Sequence, residues 1–559
     1  MRDNEKPIAM FYEGHDATLS IYIPKTNEWV IYELERLSQR KHYGFMRPTT
    51  NTWTVYKNYR DLYSTSWGEA NGLIKFCIKN LEKDFGIEND FQELIIKPLD
   101  HTLMHEHRSW DYGIINAPKW QKTKIQHHEA HSRSAYIQSP FDKAVCIAWD
   151  GGGDNTDFTH SEFANNTIGK ITEYRNFQCG WVWNTFAIRM ETIRGTPHIG
   201  DYAGKVMGLS AYGKKYKERA EKLVPKMISF YARETNIGDK YTHYRDKVMK
   251  PIRDEIESFM LEEFDKQIVD GEDEKLLAYV LQLSMERFMI DLIRNEFFES
   301  IVKHDNNLII TGGSAMNILV NELVKKEFPD MNVFVPCNPG DSGLSQSYFV
   351  VHDKHDFKYA GPYLFDHNEL PRYRTQRKTR EVSLSEVANL LRQGKIIGFL
   401  NGRSEIGPRS LGNRSILCDP SIPGMKDILN AKVKFREWYR PFAPMCRLED
   451  ADKYFDSRDY ELMDAMQFGI DVRPEWQEHL TEITHEDGSA RLQTVTEKSN
   501  SVIYELLSEF DGVLLNTSFN VQGKPILNSI RDALQILDNT ELDFIVIVDK
   551  ETNQPILFE

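Results

Sequence analysis

Residues 143–163, KAVCIAWDGGGDNTDFTHSEF, read as an apolar strand, an Asp/Gly turn and a polar, Thr-rich second strand. Residues 8–24, IAMFYEGHDATLSIYIP, follow the same plan. Ile8 and Met10 lie in one β-rich run, Gly14 in the turn, and Ile21 and Ile23 in the next run. Two strand-turn-strand units in one chain suggest an internal duplication. Between the second unit and the next strand, residues 215–300 are rich in Lys, Glu and Asp. Leu277, Val280, Leu281 and Met285 recur there at helical spacing. This region is expected to be a helical insertion. It leads into NLIITGGSAMN (307–317), a strand, a Gly-rich turn and a helix.

At 559 residues the chain exceeds the ~250–300 residues that one core supports. The pattern breaks at 361–380, a polar stretch that contains Pro362 and Pro371 and ends in a basic cluster. It is expected to be a linker between a domain spanning 1–360 and another spanning 381–559. Ser383 with Glu386 predicts a capped helix at the start of the second domain. KIIGFL (395–400) and DFIVIV (543–548) follow as strands.

The net charge of −15 argues against a general electrostatic grip on polynucleotides. Six cysteines without a CxxC pair exclude zinc ribbons and a disulfide scaffold, so a reducing cytoplasm is expected. No apolar run approaches the ~20 residues of a membrane span. The N-terminus has no signal core, so neither membrane insertion nor secretion is expected.

Chemistry concentrates in a few segments. In HHEAHSRSA (127–135), His127 and His131 are i and i+4, so a helix puts both rings on one face, where they can share a metal. His128 and Glu129 point elsewhere, and the order of residues does not match a zincin. Two structural histidines would show the same spacing. Asp341, in NPGDSG, is the best third ligand, although its position also suits a helix N-cap. Two His and one carboxylate suit Fe(II) or another divalent ion. The turns at Gly151, Gly152, Gly153 and Asp154, and at Gly312 and Gly313 ahead of Asn317, could bring backbone N–H groups to phosphate. GKVMGLSAYGK (204–214) adds Lys205, and no Walker motif occurs. From Lys395 to Arg447 there are ten basic and four acidic side chains. Arg403, Arg409, Arg414, Arg436 and Arg440 stand among Gly, Pro and aromatic residues, where rigid guanidinium forks suit phosphate and carboxylate groups. LLNTSFN (514–520) supplies Ser518 and Asn520 at a strand end.

Taken in order, GHDAT (14–18), ELERLSQRKH (33–42), HHEAHSRSA, DGGGD, GKVMGLSAYG, TGGSAMN, NPGDSG, GRSEIGPRSLGNRSIL, REWYRPFAP and LNTSFN resemble the NodU/TobZ-type O-carbamoyltransferases over nearly the whole chain. The resemblance implies a mixed α/β fold. A duplicated ribonuclease-H-like domain of the ASKHA (sugar-kinase and actin-like) ATPase type would precede a YrdC-like open α/β domain. It further implies that the C-terminal domain forms carbamoyl-adenylate from carbamoyl phosphate and ATP with Mg, using Lys434, Arg436, Arg440, Ser518 and Asn520. The N-terminal domain would pass the carbamoyl group to a hydroxyl. Iron would sit on His127, His131 and Asp341, and His15 would act as base or charge stabiliser. Local sequence alone would make His15 a turn residue.

The chain departs from the family in three places: Gly14 in GHDAT, Ser210-Ala211 in GLSAYG, and Leu37 in ELERLSQRKH. None touches the expected ligands. The expected partners are a small-molecule alcohol and a second copy of the chain. A hydroxymethylated pyrimidine, free or in nucleic acid, is the alternative acceptor. A non-catalytic nucleotide-binding relative is the alternative class. A hydrogenase-maturation carbamoyltransferase would add an acylphosphatase module and zinc fingers, which are not expected here.

Overall fold

Strand β1 (Ile8–Tyr12) is apolar throughout and buried at four of its five positions, as a central strand covered on both faces must be. It pairs antiparallel with β2 (Thr18–Ile23), which pairs antiparallel with β3 (Glu28–Glu33). On its other side β1 runs parallel to β4 (Glu93–Lys97), and β4 runs parallel to β5 (Gln121–Lys122). The second unit repeats this order. β6 (Lys143–Gly153) pairs antiparallel with β7 (Thr156–Ala164), which pairs antiparallel with β8 (Thr167–Tyr174). On the far side of β6, β9 (Asn307–Thr311) and then β10 (Asn332–Phe334) add in parallel. The two sheets therefore share strand order and direction, and the duplication suggested by two short stretches extends to five strands each. β11 (Lys358–Ala360) adds to the first sheet beside β3.

The computed structural model describes residues 6–12, 14–44, 67–88, 90–97, 121–153, 156–174, 177, 179–196, 199–232, 250–348 and 358–559. Asp154, expected to bind nucleotide, lies outside these residues. Within the expected insertion, helices span Lys217–Tyr231, Lys250–Phe264 and Gly271–Leu292.

The span 361–380 is not a plain linker: Pro371 opens a helix over Leu370–Gln376, and β12 (Thr379–Glu381) already belongs to the second domain's sheet. That sheet also holds β13 (Ile397–Leu400), β14 (Arg414–Cys418) and β15 (Ala443–Arg447). A small separate sheet is formed by β16 (Phe455–Asp456), β17 (Ile470–Val472) and β18 (Ser489–Ala490). β19 (Gln493–Val495), β20 (Leu514–Ser518), β21 (Phe544–Val548) and β22 (Pro555–Phe558) complete the larger one in the order 12-22-21-13-14-20-15-19. The Ser383 hydroxyl accepts the Glu386 N–H at 3.1 Å and caps helix Leu384–Arg392 as its sequence predicts. No described helix is long and apolar enough to cross a membrane.

The main core is continuous from Val145 through Phe468 to Phe558, so the second half of the N-terminal domain and the C-terminal domain share it.

Candidate functional site

The helix His127–Gln138 begins at the first histidine of the motif. One helical turn later, His131 brings its Nε2 to 3.2 Å from that of His127. Asp150, near the end of β6, places Oδ2 3.0 Å from His127 Nε2 and 3.4 Å from His131 Nε2. Asp341 opens a short 3-10 turn and puts Oδ1 3.5 and 3.4 Å from the same two nitrogens. Its side chain is not an N-cap. It also accepts the Tyr12 hydroxyl at 2.5 Å, and His15 Nε2 lies 3.2 Å from its Oδ2.

One donor atom from each of His127, His131, Asp150 and Asp341 falls within 4.8 Å of the others. Burial works to lower the His131 pKa, but hydrogen bonds and charge from Asp150 and Asp341 raise it to about 9. Two imidazoles and two carboxylates converging in a buried pocket form a donor set that fits a divalent transition-metal ion. Glu129 instead pairs with Arg133 at 2.7 Å on the helix exterior.

Spacing missed Asp150 because a strand, not a helix, delivers it. Its other oxygen accepts the Gly313 N–H at 3.1 Å. That bond depends on Gly312, which has φ +88° and whose added Cβ would lie 2.3 Å from the Trp149 carbonyl oxygen. The signal for Asp150 was its place at a strand end beside three glycines.

Several expected cofactor ligands are engaged elsewhere. The Gly313 N–H is committed to Asp150, and Gly151–Gly153 continue β6 rather than forming an open turn. Asn317 caps helix Ile318–Glu327 and exchanges hydrogen bonds with Gln282. Lys205 pairs with Glu437 and donates to the Thr196 hydroxyl at 2.7 Å. Arg403 donates to the carbonyls of Gly361, Trp29 and Ala360 and pairs with Glu28. Arg414 is fully buried and spends its guanidinium on Asn528 Oδ1 and the carbonyls of Asn401, Gly402 and Asn413. These two arginines hold loops and domains together, because a buried guanidinium must find acceptors wherever the fold offers them.

Lys434, Arg436, Arg440 and Arg409 do gather. Lys434 ends a π-helical turn, Asn430–Lys434. Its Nζ meets the Ser518 carbonyl at 2.6 Å, Asn520 Oδ1 at 2.6 Å, the Asn520 carbonyl at 2.9 Å and the Ser518 hydroxyl at 3.3 Å. Burial, then Arg436, Arg440 and Lys41, hold its pKa well below the usual lysine range. Arg436 donates to the Pro441 carbonyl at 2.8 Å and lies 3.8 Å over the Phe442 ring. Arg440 pairs with Glu437 at 3.3 Å.

Sequence reasoning also missed Arg491, between β18 and β19. Burial, then Arg409, Arg436 and Arg440, hold its pKa well below the usual arginine range. The Nε atoms of Arg409, Arg436 and Arg491 are buried without a hydrogen-bond partner. A lone arginine outside the basic stretch carries no signal until the sheet closes.

The carbamoyltransferase N-terminus family model matches residues 88–346, and the carbamoyltransferase C-terminus family model matches residues 388–553. Nodulation protein NolNO of Sinorhizobium fredii is 31% identical over 477 residues, covering 77% of this chain and 64% of that protein. Nodulation protein NolO of Bradyrhizobium diazoefficiens is 30% identical over 451 residues, covering 76% and 78%. Among solved structures, full-length HypF in its phosphate- and nucleotide-bound form aligns over 62% of this chain and 46% of that one, at 13% identity and a TM-score of 0.32. With both halves matched by its models and such relatives over most of their length, the chain belongs to the carbamoyltransferase family.

Proposed function

We propose that the chain is an ATP-dependent O-carbamoyltransferase working by two half-reactions in two domains. In the C-terminal domain, carbamoyl phosphate and water give carbamate and phosphate. A carbamate oxygen then attacks the α-phosphorus of ATP, and pyrophosphate leaves. In the N-terminal domain, an acceptor hydroxyl attacks the carbamoyl carbon and gives its proton to His15. AMP departs with the electron pair of the broken C–O bond.

The observation that carries this reading is the gathering of Lys434, Arg409, Arg436, Arg440 and Arg491, in which burial and then the neighbouring cations lower the proton affinity of Lys434, Arg409, Arg436 and Arg491. Among the described residues, Arg409, Arg436 and Arg491 have no carboxylate within ion-pair distance. Buried like charges with unused donors are costly unless anions complete them. Carbamoyl phosphate and the triphosphate of Mg-ATP are such anions. His127, His131, Asp150 and Asp341 would hold Fe(II) or another divalent ion, which when bound supplies Lewis-acid charge for the adenylate phosphate.

The acceptor we favour is a small-molecule alcohol. A hydroxymethylated pyrimidine is the second candidate, and the net charge of −15 weighs against a long nucleic-acid footprint. Six buried free cysteines fit a reducing cytoplasm.

Carbamoyl phosphate-dependent ATP–pyrophosphate exchange tests the first half-reaction, and the mass gain of one carbamoyl group on candidate alcohols tests the second. No exchange would favour a nucleotide-binding relative without catalysis. His127→Ala or His131→Ala should abolish transfer and largely spare exchange. Equal loss of both would overturn the division between domains.

A further inference from the structure

Along Lys434-Phe435-Arg436 the usual order of burial is inverted. Lys434 is buried and Arg436 is partly buried, while the Phe435 side chain between them is 50% exposed. Trp438, three residues on, is 56% exposed, and these two are the most exposed aromatic side chains among the described residues. A soluble chain ordinarily buries a phenyl ring and exposes a lysine. The backbone is unusual at the same place. The π-turn Asn430–Lys434 ends on Phe435, which sits in the left-handed region at φ +50° and ψ +38°. Its N–H closes the turn on the Asn430 carbonyl at 2.8 Å. A π-turn and a left-handed bulky residue are both uncommon, and both concentrate at functional sites. The Trp438 ring packs against that of Tyr212, with centroids 4.8 Å apart, whereas Phe435 makes no ring contact among the described residues.

We infer that Phe435 is the face on which the base of ATP stacks while its phosphates meet the arginines nearby. This rests on the proposed adenylate-forming role of the C-terminal domain. The inverted pattern calls for a ligand with two unlike parts: negative charge for the buried cations, and a flat ring for the exposed phenyl. Carbamoyl phosphate and pyrophosphate carry only the charge, and ATP carries both. Consecutive Cα atoms lie ~3.8 Å apart, so the phenyl and the two cations that flank it fall within the span of one nucleotide. Stacking of a base on an aromatic ring tolerates any base, because each has a π-face. Phe435 therefore selects a nucleotide over a bare phosphate chain and does not select adenine over guanine. It touches no reacting atom: the carbamate oxygen still attacks the α-phosphorus as pyrophosphate leaves.

The test uses the full chain in carbamoyl phosphate-dependent ATP–pyrophosphate exchange, with inorganic tripolyphosphate as a competitor that has the charge without the base. Phe435→Ala should raise the KM for ATP at least about tenfold, the scale of one base stacked on an aromatic ring. The KM for carbamoyl phosphate and the inhibition constant of tripolyphosphate should change far less. Phe435→Leu, which keeps apolar bulk but no ring, should behave as Phe435→Ala does. Phe435→Trp should restore the wild-type KM for ATP. Trp438→Ala should leave it unchanged.

Phe435→Trp also gives a readout that needs no turnover. Its added fluorescence, taken as the difference from wild type, should be quenched by ATP and not by tripolyphosphate. A wild-type KM for ATP in Phe435→Ala or Phe435→Leu, an equal weakening of ATP and tripolyphosphate, or the ATP-specific loss in Trp438→Ala instead, would each overturn the inference. A wild-type chain that neither exchanges pyrophosphate nor binds tripolyphosphate would instead overturn the adenylate-forming role, and the inference would fall with it.

Discussion

Asp150 ties the candidate metal site to the second Gly-rich turn, since one oxygen faces His127 and His131 while the other takes the Gly313 N–H. Asp150→Asn retains the shape and the Gly313 bond but removes the charge. Loss of an outer-shell partner already costs metal sites ~10–100-fold in affinity. Asp150→Asn should cost more, read as Fe(II) or Zn(II) retained after dialysis, and wild-type retention would remove Asp150 from the ligand set. A second residue sets acid stability. His160 is buried, its Nε2 lacks a partner, and its ring stacks 4.9 Å from that of Phe297. Burial lowers its pKa from 6.5 to about 4. A folded pKa below the unfolded one means this stability is fully present above pH ~6.5 and is lost as pH falls through about 4. The loss approaches ~3 kcal/mol. His160→Phe should flatten the urea-unfolding free energy over that window, and an unchanged acid limb would contradict the assignment.

Elements decide which cations gather around Lys434. Lys434 arrives on a π-turn that ends at Phe435 with φ +50°, and Arg491 arrives on the short connection between β18 and β19. Because Arg491 is an unpaired charge among like charges, Arg491→Gln should raise the melting temperature of the ligand-free protein. It should also raise the KM for carbamoyl phosphate or ATP at least about tenfold, the worth of a charge-assisted hydrogen bond. A lower melting temperature with unchanged KM would make Arg491 a structural residue. The contrast explains what sequence could convey. His127 and His131 were legible because helical periodicity is local, and Ser383 because a cap needs only three residues. The Lys434, Ser518 and Asn520 grouping came from resemblance. Asp150 and Arg491 were not legible, since their placement depends on strand pairing across long separations. Arg403 and Arg414 misled for the same reason: a guanidinium in a Gly-rich loop looks alike whether it meets an anion or a carbonyl.

At the scale of the whole molecule the domains are locked rather than hinged. Arg403 of the C-terminal domain crosses to the Trp29 carbonyl and Glu28, and its guanidinium lies 5.0 Å from the Phe85 ring centre. Arg36 of the N-terminal domain donates to the Gly407 carbonyl at 2.9 Å, while the Gly407 N–H donates to Glu33 at 3.0 Å. Gly407 sits at φ +85°, and an added Cβ would be 2.3 Å from the Cys337 carbonyl oxygen, so the two backbones touch. Arg458 donates to the carbonyls of Lys325, Phe328 and Met331 at the far end. With one core running through both domains, heating should unfold the wild-type chain in a single calorimetric transition. Arg403→Ala leaves Glu28 without its cation in a buried setting, a change that costs ~3–5 kcal/mol. It should lower the main transition and split off an earlier one from the first sheet, which reaches the C-terminal domain through Arg403, Arg36 and Gly407 and through the apolar contact of Tyr22 and Trp29 with Ile406 and Ala465. Exchange in the C-terminal domain should survive that first transition while transfer is lost. A single transition at the wild-type temperature would show that the shared core alone couples the domains.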